Sequence, residues 1–123
     1  MLVKMDAANA GGGGYEYVDT LEWSGNWSSS GGGGISDLVV GKKYYALIFY
    51  SNSGSSASPY VNATAVSNST DFTTIITAKS VQCVSSYVGY CMISFIPTAT
   101  SVQITFASNL GTGKVMCHYW KEV

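Results

Sequence analysis

The chain predicts an all-β fold, an antiparallel β-sandwich of jelly-roll-like form. Three observations lead there. From Leu38 onward, short runs of β-branched and aromatic residues alternate with clusters of Gly, Ser, Asn and Pro. Helix-period patterns are nearly lacking. With 123 residues the chain makes one domain, large enough to bury a core without metal or disulfide staples.

Taken in order, a short strand is expected at residues 2–5, followed by GGGGYEYVDTLEWSGNWSSSGGGG at residues 11–34. Tyr15, Tyr17, Trp23 and Trp27 make this stretch too aromatic for a flexible linker. Residues 1–36 therefore read as an ordered, glycine-hinged arm that packs on a sandwich domain of residues 37–123 or on a neighbouring subunit. The four aromatics are the candidate ligand or subunit contacts, because flat apolar rings with a polar edge suit both sugars and protein interfaces.

Within residues 37–123, a Gly41-Lys42 corner precedes a strand at 43–50. SNSGSSASP is a turn, and Pro59 suits the first position of a strand at 60–66. Further strands are expected at 72–78 and 87–96, with Pro97 ending the latter for want of an N–H donor. In SVQITFA, Val102, Ile104 and Phe106 alternate with Gln103 and Thr105, the pattern of a strand with one buried face. Residues 109–113 form a loop able to take positive φ, leading into a last strand at 114–121. The core is expected from Tyr45, Leu47, Phe49, Phe72, Ile76, Ile93, Phe95, Val102, Ile104 and Phe106. Strand 43–50 is nevertheless apolar on both faces, with Tyr44, Ala46, Ile48 and Tyr50 opposite Tyr45, Leu47 and Phe49. Its second face needs a cover from the arm or from another subunit.

Charged residues are only 11% of the chain, the net charge is −1 and all six basic residues are lysines. No basic stripe exists to neutralise phosphates, so nucleic acid is excluded as a partner. A sparsely charged, near-neutral surface favours association. No apolar run reaches the length of a signal-peptide core or a membrane span, which predicts synthesis and retention in a cytoplasm without membrane insertion. Cys83, Cys91 and Cys117 are an odd count that fits reduced, buried thiols. The Asn26, Asn62 and Asn68 glycosylation patterns are those that chance produces in a chain this rich in Ser and Thr.

Specific chemistries fail on their residues. A phosphate loop ending at Gly113-Lys114 would need a hydroxyl residue where Val115 stands and a glycine where Ser108 stands. His118 is the sole histidine. It follows Cys117 on an expected strand, so the two side chains leave on opposite faces, and the histidine reads as half-buried beside Met116 and Trp120. No metal or other cofactor is implied. Glu16, Asp19 and Glu22 stand among aromatics, where a glycan hydrolase would hold its carboxylates. Acids beside tyrosines are more commonly solvated groups, and no catalytic residue is assigned.

DLVVGKKYYALIFYS and, much later, SFIPTATSVQITFASNLGTGKV resemble galactose-binding-like jelly-roll modules over residues 37–120. The closing strand of those modules usually holds an aspartate that residues 114–120 lack, so the resemblance brings no calcium site. The glycine-rich start, the lack of arginine and the low charge look like small bacteriophage virion proteins of tail fibre, tail tip or capsid surface. That resemblance implies a non-enzymatic, multi-copy component located in the virion. Its partners would be copies of itself, other virion proteins and host-surface glycan. The alternative is a carbohydrate-binding module of a bacterial glycan-active protein, and the third option a small glycan hydrolase.

Overall fold

A computed structural model describes residues 14–52, 59–84 and 86–123. The expected strand at residues 2–5, the first three glycines of the leading run and the turn at 53–58 lie outside them, as does the side chain of Cys83. Among the described residues eight strands form: β1 (Tyr15–Asn26), β2 (Ser30–Ile35), β3 (Tyr44–Asn52), β4 (Val61–Val66), β5 (Ser69–Cys83), β6 (Ser86–Pro97), β7 (Val102–Ser108) and β8 (Thr112–Glu122). All pairings are antiparallel, and the strands divide into a five-stranded sheet, β1-β8-β3-β6-β5, and a three-stranded sheet, β2-β7-β4. The orders 1-8-3-6 and 2-7-4 are those of two interlocked Greek keys, a jelly-roll-like sandwich with β5 added at the edge of the larger sheet.

The segment read from sequence as an arm is built into both sheets. β1 pairs with β8 from Tyr15 to Asn26, and β2 pairs with β7 from Ser30 to Ile35. Ladder hydrogen bonds, together with burial of Trp27 and Ile35, order a glycine-rich stretch that composition alone would leave as a hinge. Gly31 and Gly33 are required by packing rather than by φ. A Cβ on Gly31 would enter the Trp27 ring, and one on Gly33 would enter the Trp23 ring. Both indoles then rest against Phe106, with centroids 5.3 Å away for Trp27 and 6.4 Å for Trp23.

The core lies between the sheets and includes Ile93, Phe95, Val102, Ile104 and Phe106, as the alternation predicts. The expected face of β3 is corrected. Tyr44, Ala46, Ile48 and Tyr50 point inward, whereas Tyr45, Leu47 and Phe49 lie half-buried on the outer face. Ile76 is also only half-buried and Phe72 is 36% exposed. A strand apolar on both sides has no internal signal for its core face; here the Tyr44 hydroxyl, which accepts the Val39 N–H at 2.8 Å, helps fix the choice. Cys91 and Cys117 are free thiols inside the core.

The expected loop before β8 is present at residues 109–111 and uses no left-handed residue. Positive φ falls at Asp37, Gly41, Asn68, Asp71 and Val84 rather than in residues 109–113. Trp27 shapes that loop instead. Its N–H donates to Gly111 O at 3.3 Å, its carbonyl accepts from Leu110 N at 2.9 Å and from Ser108 Oγ at 2.6 Å, and its indole N–H donates to Gly113 O at 3.1 Å.

Candidate functional site

The outer face of the five-stranded sheet is ordered in cross-strand rows. One runs Tyr17, Trp120, Tyr45, Ser94, Thr73; the next Thr20, His118, Leu47, Met92, Ile76; the third Glu22, Met116, Phe49, Tyr90, Lys79. Residues paired across antiparallel strands share a face, so each row carries its side chains outward together. Along these rows runs a groove of about 870 Å³ lined by Tyr17, Thr20, Leu47, Phe49, Ile76, Val88, Tyr90, Met92, His118 and Trp120.

A bulge in β1 makes this face possible. Tyr17 pairs with Trp120 and Asp19 with Tyr119, leaving Val18 as the extra residue. An extra residue reverses the phase of a strand. Tyr15 and Tyr17 therefore point outward, while Leu21 and Trp23, also odd-numbered, pack against the core.

The structure divides the four aromatics expected to make contacts. Trp27 is only 7% exposed and Trp23 is half-buried, and both are spent on Phe106. Tyr15 is half-buried against Tyr45, with ring centroids 4.6 Å apart and its hydroxyl donating to that of Tyr45 at 3.5 Å. Burial, then the Tyr45 hydrogen bond, push the Tyr15 phenol up to about 12, with the Tyr45 and Glu122 charges adding to the rise. Tyr17, at 43% exposure, stands at the groove.

The polar groups of the groove gather on the β1–β8 side. The Thr20 hydroxyl shares short hydrogen bonds with the Tyr17 hydroxyl and with His118 Nδ1. His118 stacks on Phe49 at 5.1 Å and 26°, and tilts towards Trp120 at 6.4 Å. Trp120, 7% exposed with Tyr17 edge-on at 6.1 Å, carries an indole N–H that meets no acceptor among the described residues. In the same row, the Ser94 hydroxyl is also buried with no partner among the described residues. A buried polar group left unpaired costs about 1–3 kcal/mol, which a suitable partner would recover.

This arrangement stacks and donates hydrogen bonds. The imidazole is oriented by a hydroxyl rather than by a carboxylate. Cys117, buried on the opposite face of β8, is out of its reach. Glu16, Asp19 and Glu22 are all exposed and lie outside the groove. Glu16 pairs with Lys121 at 3.0 Å, Glu22 pairs with Lys114 at 3.3 Å, and Asp19 accepts the Thr20 N–H at 2.8 Å. Among the described residues no three His, Cys, Asp or Glu converge as metal ligands.

Sequence reasoning found Tyr17 but not Leu47, Phe49, Met92, His118 or Trp120 as parts of one site. The available signal was the apolar second face of strand 43–50, which showed that a cover was needed without showing which strands flank β3. Comparison with family models, curated proteins and solved structures returns no match.

Proposed function

We propose that this protein is a non-enzymatic structural component of a bacteriophage virion, of tail fibre, tail tip or capsid surface, held in multiple copies by apolar subunit contacts. The observation that carries the reading is the five-stranded sheet, apolar on both faces and bearing exposed apolar residues on both edge strands. Tyr17 and Val18 lie on β1, and Phe72, Ile75 and Val81 lie on β5. A chain with 11% charged residues has little repulsion to keep such edges apart. Sedimentation velocity across a concentration series tests it. The weight-average mass should rise with concentration and fall back towards the monomer in Ile75→Lys, which places a charge on the edge strand. A strict monomer throughout the series would overturn the reading.

The second reading is a carbohydrate-binding module, favoured by the exposed Tyr17 ring beside the Thr20 hydroxyl and His118. Such a module would stay monomeric and bind glycan with losses in Tyr17→Ala.

A further inference from the structure

The lining of the outer groove changes character across the sheet. On the β1–β8 side stand Tyr17, Thr20, His118 and the indole N–H of Trp120, without an acceptor among the described residues; on the β3–β6–β5 side stand Leu47, Phe49, Met92, Val88 and Ile76, with Tyr90 adding one hydroxyl. Small-ligand sites share this plan, a mostly apolar concavity of about 300–1,000 Å³ with a few placed polar groups. The volume of about 870 Å³ falls inside that range.

We infer that the groove binds a neutral amphipathic small molecule. Its alkyl or aryl body lies over Leu47, Met92 and Ile76, and its hydrogen-bond-accepting head turns to the Trp120 N–H beside Thr20 and His118. The head is uncharged because the described residues of the lining include no lysine and no carboxylate to pair with a desolvated charge. A sugar fits the length of the groove less well, since along the β3–β6–β5 side its hydroxyls would meet a single polar side chain, the Tyr90 phenol, among the described residues. The head is an acceptor because the group awaiting a partner is an N–H that can only donate. The inference does not depend on the assembly reading, and a monomer could hold the same ligand.

Nile red, a neutral aryl dye with a ring carbonyl, is the probe for the full-length protein, read by fluorescence titration. Saturable blue-shifted emission is expected, displaced by octanamide well before octylammonium or maltotriose. Trp120→Phe keeps an aromatic ring but lacks the N–H, and should weaken the dye by about 3- to 10-fold. Ile76→Arg alters an edge strand and should remove saturable binding whether or not Trp120→Phe folds, with cooperative urea unfolding as the check on its fold. No saturable binding to the native protein, displacement by maltotriose as readily as by octanamide, or unchanged dye affinity in a folded Trp120→Phe or Ile76→Arg variant would overturn the inference. Sedimentation of the same samples reports assembly separately, so failure of one reading is not mistaken for failure of the other.

Discussion

At Gly33 the missing side chain is occupied space: the Trp23 ring lies where a Cβ would stand, and Gly31 makes the same room for Trp27. The tetraglycine of β2 is therefore a floor for two indoles, whose other contact is Phe106. From the sequence, the nearness of tryptophans and glycines was plain, but their contact was hidden. The Trp23–Gly33 contact runs between strands of different sheets and depends on which way Trp23 faces. Gly33→Ala should cost about 1–3 kcal/mol, the usual range for overpacking a filled core. Gly41→Ala is a weaker comparison for space, because Gly41 is open around its Cβ position but holds φ at 86°. Gly111→Ala, also open and without positive φ, is the proper control and should be nearly neutral. Equal urea midpoints for Gly33→Ala and the native protein would remove the packing account of the glycine run.

The strands from β3 to β8 were legible as elements because turn residues punctuate them and their branched and aromatic residues suit a pleated surface. β1 and β2 were not legible. Nothing local marks SGGGGI as a strand; its order comes from β7 alongside it and from the rings lying on it. Nor could the face of β1 be read by counting, since Val18 reverses the phase midway. That bulge makes an unusual element-scale prediction. Deleting Val18 would leave Tyr17 opposite Trp120, Asp19 opposite Tyr119 and Thr20 opposite His118, a continuous ladder with every side chain on its present face. Its cost should be within about 1 kcal/mol, whereas deleting Leu21, which packs against the core, shifts one end of β1 by a residue and should cost about 3 kcal/mol or more. Chemical denaturation of the two deletions side by side checks this. A Val18 deletion as damaging as that of Leu21 would mean that the bulge is needed for stability in its own right.

At the scale of the whole molecule, few charges stand in the way of burial, and the ionisable groups buried among the described residues are ones neutral at ordinary pH. Burial pushes the thiols of Cys91 and Cys117 up. The Tyr119 phenol is pushed up to about 12, first by burial and then by the negative charge of Asp19, and Tyr15 rises similarly on the outer face. In every case the native state holds its proton more tightly than the unfolded chain does. The stability gained is fully present below the ordinary values, near 9 for the thiols and near 10 for the phenols, and is lost as pH rises through the raised native values. The sandwich should thus hold a flat stability from these groups up to about pH 9 and weaken progressively towards pH 12. Urea midpoints measured at pH 8, 10 and 11 at constant ionic strength should fall in that order. Cys117→Ala leaves a cavity and lowers the whole curve, but it also removes one of the four protons, so its midpoint should fall less steeply between pH 8 and 11 than that of the native protein. A native midpoint that stays level from pH 8 to 11 would show that these groups are not protected by the packing described.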